Sequence, residues 1–462
     1  MKPSDYQQTI INLATADYSQ NITVNAVAGS GKTTLIQMLA KELPTKNLYL
    51  AFSKEICQSV EPKLAGLTTE VKTLHKFGFQ VIRSVYPECV VDATKYEKLI
   101  GKQEFKPLNH WHLKKLTEIL RLWFQRVDQE LVLDALEHCD LDQDQDWLDK
   151  NLLNLTALLK AVISKGVRSF DTCDFADMLV IPLINSLPFP AYDCVFIDEA
   201  QDLNNVMIAT VKKLMRTARI VLVGDPLQAI MGFAGANQSS YEVLQNTLNA
   251  KELPLSVCYR CGDKIIKLAR QYNSAIQGTE REGTVSYQKT LEGVQHGDMV
   301  LCRVNAPLIE CGIDLIDQGH HVKIKGKNFG ETLIKLTREA QKSYSGLEIE
   351  TAIQRVIANK LSKIRSKDKK DLLLDQQNCL LMLCDHCDDA FELIQKIGSL
   401  FSESPAEKVI TLSSMHRSKG LEADNVFILL NKREFTLPGD NQESNLAYVA
   451  VTRAKKSLVF VS

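Results

Sequence analysis

A glycine-rich turn carries Gly29, Gly31, Lys32 and Thr33 between a β-rich run at residues 21–26 and a helical run at 33–43. A strand–turn–helix of this kind presents successive backbone N–H groups and a helix N-terminus to phosphate oxygens. The span Ala26, Val27, Ala28, Gly29, Ser30, Gly31, Lys32, Thr33 and Thr34 is therefore a candidate nucleotide cradle. The two glycines permit close backbone approach, Lys32 supplies a point charge for the β- and γ-phosphates, and the Thr33 hydroxyl suits Mg²⁺. The strict pattern begins with glycine, and Ala26 stands in its place. A second signal fits the first. An apolar run at 194–197 ends on Asp198 and Glu199, and open α/β sheets bind their ligands at the C-terminal ends of strands. Asp198 would hold Mg²⁺, directly or through water, and Glu199 would polarise an attacking water as general base. Hydrolysis of ATP with Mg²⁺ as its cation is the chemistry these residue types can perform together.

Three further side chains extend the candidate set. Gln228 follows the next apolar run and could sense the γ-phosphate, although Gly224, Asp225 and Pro226 would also build an ordinary turn there. Arg260 and Arg453 each sit beside an apolar run. Phosphoryl transfer needs its transition-state charge neutralised, and an arginine finger is typically worth about 10³–10⁵ in rate. Supplied from another domain, it makes hydrolysis depend on domain closure. A surface ion pair is the ordinary alternative for either arginine.

Positioning these residues requires two α/β cores. Short strands are expected at 21–26 and 47–52, then at 194–197 and 220–223. A second α/β unit begins near Leu253 and includes strands at 299–304, 321–324, 409–412, 426–430 and 458–461. Two stretches break the rhythm with leucine and charged residues at helical spacing. The first holds all three tryptophans (Trp111, Trp123, Trp147) and an acidic run at 140–149 that reads as a solvated face or loop. The expected fold class is thus α/β, with two parallel-sheet P-loop domains: 1–84 plus 169–253, and 254–329 plus 403–462. Helical insertions occupy 85–168 and 330–402. A length of 462 residues, 45% hydrophobic and 24% charged, is ordinary globular composition. No run approaches the length of a membrane span, and the N-terminus lacks the basic and apolar regions of a signal peptide, so a soluble, cytoplasmic protein with no membrane partner is expected. Twelve cysteines without an even framework read as reduced core residues. A net charge of −1 excludes a global electrostatic grip on nucleic acid, so any positive field must be local.

Taken in order, the motifs resemble the UvrD/Rep branch of the superfamily 1 DNA helicases. That branch usually writes its phosphate loop with alanine at the place of Ala26. Tyr49, Phe52 and Lys54 fall in a segment similar to motif Ia, and Val71, Thr73, His75 and Phe77 in one similar to Ib. Val195 to Asp202 is similar to motif II, Gly224 to Ala236 to III, Tyr259 and Arg260 to IV, Thr411 to Glu422 to V, and Glu443 to Ala454 to VI. The likeness spans nearly the whole chain. It implies two RecA-like domains and ATP-driven movement on single-stranded DNA in the 3′-to-5′ direction. Single-/double-strand junctions and replication or repair proteins are the partners expected, for a protein that is a monomer in solution. It implies residue roles as well: Gln7 for adenine, with Gln8 the alternative because the adjacent pair leaves the register open. Tyr259 would stack on the base and Glu422 would lie near the ribose. Phe52, His75, Phe233 and His416 would contact single-stranded DNA, where stacking on an aromatic ring is worth about 1–3 kcal/mol per base. An isolated phenylalanine at a strand end is otherwise a core residue.

The likeness has departures. Met231 and Ala234 stand where motif III usually carries an aromatic residue and an arginine, and both insertions are short. The second insertion corresponds to an accessory domain thought to regulate unwinding. An ATPase that strips proteins from DNA with little unwinding is therefore one rival reading. A non-motor P-loop nucleotide switch is another, but it would not need both Arg260 and Arg453 from a second core. Cys379, Cys384 and Cys387, with His386, have metal-ligand spacing but lie in an apolar helical run that reads as a buried helix. Asn431, Lys432 and Glu434 mimic a guanine-reading motif with glutamate where aspartate is expected. The basic cluster Arg355, Lys360, Lys363, Arg365, Lys367, Lys369 and Lys370 suits DNA phosphates or a solvated helix equally.

Overall fold

The computed structural model describes residues 2–103, 105–139, 141, 143–230, 240–362, 364, 367–387, 389–401, 409–430 and 441–462. The chain divides into two compact units, Met1–Ser256 and Val257–Ser462.

The first unit is built on β1 (Ile22–Ala26), β2 (Asn47–Ala51), β3 (Thr69–Thr73), β6 (Cys194–Ile197), β7 (Arg219–Gly224) and β8 (Lys251–Leu255). A parallel ribbon of β4 (Val90–Val91) and β5 (Thr172–Cys173) lies apart from them. The main sheet has the order β3-β2-β6-β7-β1-β8, and every pairing in it is parallel. All residues of β2, β6 and β7 are buried, as expected of strands covered on both faces. Alternation then sorts the side chains. Tyr49, Ala51, Phe196, Val221 and Val223 face a core shared with the helices Asp5–Ala16, Lys32–Glu42 and Lys54–Leu64. Leu48, Leu50, Val195, Ile197, Ile220 and Leu222 face the other way, into a larger core. That core is continuous with the helices His110–Trp123, Gln129–His138 and Gln145–Gly166 of the first helical stretch.

The α/β class and parallel sheets agree with the sequence; several strands, Lys251–Leu255 among them, were not among those expected. Lys251–Leu255, near the expected start of the second unit, pairs with β1 as the edge of the first sheet. Pro254 explains its place, because a residue without an N–H is tolerated on an edge strand and not inside a sheet. The second unit's sheet comprises β9 (Thr284–Gln288), β10 (Met299–Cys302), β11 (Val322–Ile324), β12 (Ile410–Ser414), β13 (Ala423–Leu429) and β14 (Ala454–Val461). Its order is β11-β12-β10-β13-β14-β9, again parallel throughout. β9 gave no strand signal because it is a polar edge, with Tyr287 largely exposed. The helices Lys327–Ser343, Ile349–Leu361, Lys367–Cys384 and Ala390–Leu400 pack into the core of this unit. Cys379 lies inside that core with Cys384 and Cys387 against it, and no group of three or more ligating side chains suited to a metal ion occurs among the described residues. Nor is any helix among them long and apolar enough to cross a membrane.

A buried ionic cluster fastens the first helical stretch to its unit. Asp177, fully buried, receives Lys95 Nζ at 2.7 Å, Arg121 Nη1 at 2.6 Å and Tyr96 Oη at 2.8 Å. Arg121 also grips Asp174 through both terminal nitrogens, at 2.8 and 2.7 Å. Removing one member leaves charges buried without compensation, typically about 3–5 kcal/mol. Asp177→Ala should therefore lower the urea midpoint by an amount equivalent to about 3–5 kcal/mol; a midpoint within error of wild type would show that the cluster is not what holds these helices.

Candidate functional site

The sheet order brings β6, β7 and β1 side by side, so their C-terminal ends deliver Asp198 and Glu199, then Asp225, then the glycine-rich turn to one edge. The turn is formed by backbone in the left-handed region at Gly29 (φ 66°) and Gly31 (φ 82°), open to glycine at little strain. Gly31 caps the helix Lys32–Glu42, whose first turn holds Lys32, Thr33 and Thr34, all half-buried. Ala26, Val27 and Ala28 are buried beneath them, and the Val27 N–H donates to the Leu255 carbonyl at 3.1 Å, tying the turn to β8. The Ser30 hydroxyl is buried with no hydrogen-bond partner among the described residues.

Lys32 Nζ lies 2.7 Å from Glu199 Oε2. Burial works against the ammonium charge, but the carboxylates of Glu199, Asp198 and Asp225 outweigh it and hold Lys32 above its ordinary value. Glu199 takes a left-handed backbone (φ 51°), a conformation that costs a non-glycine residue energy and persists only where neighbours impose it. Its Oε2 also accepts from Gln201 Nε2 at 2.6 Å. Asp198 is fixed from both sides, by the Glu199 N–H on Oδ1 (2.9 Å) and the Tyr49 hydroxyl on Oδ2 (2.7 Å). Burial, with Glu199 adding to it, pushes the Asp198 carboxyl up to about 6. Burial does the same to Asp225, also up to about 6. Three carboxylates thus crowd one ammonium. That imbalance, with the Ser30 hydroxyl and the left-handed glycines, fits a Mg²⁺-nucleotide, a cation that keeps several waters and binds through few protein ligands. Asp198 and Thr33 are the residues that could hold such an ion.

Sequence reasoning missed the links among these groups. Tyr49 was visible only as part of a motif. Gln201 joins the two strand ends, donating to Glu199 while its Oε1 accepts the Asp225 N–H at 3.1 Å. A Cβ at Gly224 would come within 2.7 Å of that oxygen, so a larger residue there would displace the Gln201 side chain. Gln228 Nε2 donates to Asp225 Oδ2 at 2.6 Å in the short turn Pro226–Gln228, so the segment forms the turn expected of Gly224, Asp225 and Pro226. Of the two N-terminal glutamines, Gln7 is buried and its Nε2 would lie 3.4 Å from a Cβ at residue 31, facing the turn. Gln8 is exposed and bonded to Asn12.

In the second unit a separate cluster forms. Glu422 lies between Arg260 Nε at 2.7 Å and Lys455 Nζ at 2.8 Å. Burial opposes its charge, but the two cations hold the Glu422 carboxyl below the usual range. Arg260 Nη1 donates to the Thr452 carbonyl at 3.1 Å, next to Arg453. Arg453 is buried and donates to the Val449 and Leu421 carbonyls at 2.9 and 3.1 Å. Tyr259 is 39% exposed.

Phe52 and His75 follow the adjacent ends of β2 and β3, where Ala51 pairs with Thr73. Phe52 is half-buried against the larger core of the first unit. His75 begins the helix Leu74–Val85, edge-on to the exposed Phe175 at 6.4 Å, and burial lowers its imidazole. Gly78 lets that helix approach closely, since a Cβ there would sit 1.9 Å from the Met178 carbonyl oxygen. His416 opens a short turn after β12. Phe233, Met231 and Ala234 lie outside the described residues, as do Asn431, Lys432 and Glu434. Of the basic cluster, Arg355 lies over the Tyr344 ring and Lys360 pairs with Glu339 at 3.0 Å.

Residues 7–249 match the UvrD/REP helicase N-terminal domain, and residues 410–461 match the UvrD-like helicase C-terminal domain. The chain is 25% identical to F-box DNA helicase 1 of Gallus gallus, over 99% of this chain and 49% of that protein. It is 24% identical to F-box DNA helicase protein 1 of Schizosaccharomyces pombe, over 95% of this chain and 55% of the other. It is 27% identical to the "Probable DNA helicase" of Mycoplasma pneumoniae, over 97% and 81% respectively. The chain therefore spans about half the length of the two F-box relatives.

One consequence concerns pH. Burial, aided by Arg303, pushes the His416 imidazole down to about 4. The unfolded value is about 6.5, so the unfolded chain takes up the proton first. Stability is lost as pH falls from about 6.5 to about 4, by at most about 1.4 kcal/mol per pH unit. His416→Gln should flatten that part of the profile; equal slopes of urea midpoint against pH in the two proteins would refute this assignment.

Proposed function

The chain belongs to the UvrD/REP helicase family, and from that premise we propose that it is an ATP-dependent motor moving 3′ to 5′ on single-stranded DNA. The observation that carries the reading is the convergence of Lys32, Asp198, Glu199 and the Asp225–Gln228 pair at neighbouring strand ends. Gln7 takes the adenine and the span from Ala26 to Thr34 cradles the phosphates. Mg²⁺, held by Asp198 and Thr33, would screen the phosphate charge when bound. Lys32 is shared between Glu199 and the incoming γ-phosphate. As phosphate oxygens draw the ammonium away, Glu199 is left held by Gln201 and able to accept a proton from the attacking water. Gln228 reports the γ-phosphate through Asp225. From the second unit, Tyr259 stacks on the base, Glu422 lies near the ribose, and Arg260 and Arg453 neutralise the transition state.

Phe52, His75, Phe233 and His416 are the proposed DNA contacts. Stacking tolerates any sequence, which suits a motor that must pass over every base. Met231 and Ala234 favour a second reading, an ATPase that strips proteins from DNA with little strand separation, because each removes a contact that motif III usually offers.

Two measurements test the proposal. Steady-state ATPase should rise severalfold with single-stranded DNA, fall to background in Lys32→Ala, and drop by about 10²–10⁴ in Glu199→Gln. Hydrolysis indifferent to DNA would sink the motor reading and leave a nucleotide switch. Forked duplexes with one labelled 3′ or 5′ tail then report polarity, and a streptavidin block on single-stranded DNA reports stripping. Displacement of the block without unwinding of either fork would select the second reading.

A further inference from the structure

The helix Ala306–Asp317 begins at Asn305, whose side chain makes no cap on its own helix. The cap comes from another element. Asp375, buried on the helix Lys367–Cys384, accepts from the Asn305 N–H and the Ala306 N–H, each at 2.9 Å, and from Asn305 Nδ2 at 2.7 Å. Held on that side, the Asn305 amide turns its Oδ1 to Arg417, whose Nη1 donates at 3.2 Å. The Arg417 guanidinium also lies over the Phe329 ring, 5.1 Å from its centroid. Gly326 leaves it room, since a Cβ there would come within 2.7 Å of Nη1. Arg417 is the neighbour of His416 in the turn His416–Ser418.

A carboxylate of the second helical stretch thus reaches the loop after β12 in two polar steps. We propose that Asp375, Asn305 and Arg417 are positioning residues that set the place of the His416 loop, and through it the concentration of single-stranded DNA at which hydrolysis responds. The proposal rests on the motor reading above. The arrangement has two features that a helix cap alone does not need. A carboxylate on two N–H groups already completes a cap, yet Asp375 also binds the Asn305 amide. That contact fixes which way the amide points, and so presents an acceptor, not a donor, to Arg417. Support of this kind behind a functional side chain is what holds it within a fraction of an ångström of its working place.

The test uses the full chain with Asp375→Ala, Asp375→Asn, Arg417→Ala and the double alanine variant. In both single alanine variants the DNA concentration giving half-maximal ATPase stimulation should rise about tenfold, the size of effect that a lost cap or charged hydrogen bond transmits. Asp375→Asn, which keeps an acceptor for the N–H groups, should recover part of that loss. The DNA-free rate of Asp375→Ala should stay within about twofold of wild type, and the double variant should be no worse than the worse single one. Amide hydrogen exchange at residues 415–421 should quicken in Asp375→Ala. Unchanged half-saturation in a folded alanine variant, or additive losses in the double variant, overturns the proposal. A wild-type ATPase indifferent to DNA would overturn the motor reading instead; exchange at 415–421 then decides by itself whether Asp375 holds the loop.

Discussion

Three carboxylates around one ammonium set the terms for the first unit. Asp198, Glu199 and Asp225 are gathered at the end of a sheet with Lys32 as their common cation. Burial raises Asp198 and Asp225 to about 6, so the fold works against its own charge at this point. Such a site persists only if the strands bearing it are held by something else. The apolar runs of β2, β6 and β7, buried on both faces, supply that hold. The same crowding makes a bare polyphosphate an unfavourable guest. A triphosphate would add negative charge where three carboxylates already gather, so a divalent cation would relieve repulsion there before any catalytic role is considered.

Backbone strain is placed at the same spot. Glu199 is one of few non-glycine residues with positive φ, and it stands between the Asp198 carboxyl and the side chain of Gln201. The left-handed turn is maintained by hydrogen bonds that also aim the Glu199 side chain. Gly224, on the neighbouring strand, gives Gln201 the space to reach Asp225. Position, strain and hydrogen bonding therefore act on one carboxylate, and Gln201 links the segment after β6 to Asp225 after β7.

What the sequence disclosed follows a simple line. Features local in the chain were legible: the glycine-rich turn before Lys32, the apolar run before Asp198, the alternation of strand and helix, and the order of the motifs. Contacts between distant segments were not. Tyr49 on Asp198, Gln201 on Asp225 and Asp375 on Asn305 join residues whose separation no spacing rule encodes. Two edge strands were also poorly marked. β8 carries a proline and β9 is polar, so neither shows the apolar pattern of a central strand. The Gln7-Gln8 ambiguity had the same origin. Helical phase alone does not say which of two adjacent residues faces inward, whereas the capping hydrogen bonds between Ser4 and Gln7 fix it.

The loop between β12 and β13 carries a candidate residue for each of the two proposed ligands. His416 stands at its start and Glu422 at its end, with Gly420 in a left-handed conformation between them. Internal hydrogen bonds, from the Ser418 N–H to Met415 and from the Leu421 N–H to Ser418, make the segment a compact turn and not a free tether. Glu422 is balanced between Arg260 and Lys455, while the start of the loop is steadied by Arg417. Coupling between DNA and nucleotide requires only that this turn have two positions that each ligand favours differently. The helical stretch that seats Asn305 through Asp375 would then act on both ligands at once, because it bears on a segment with a candidate residue for each.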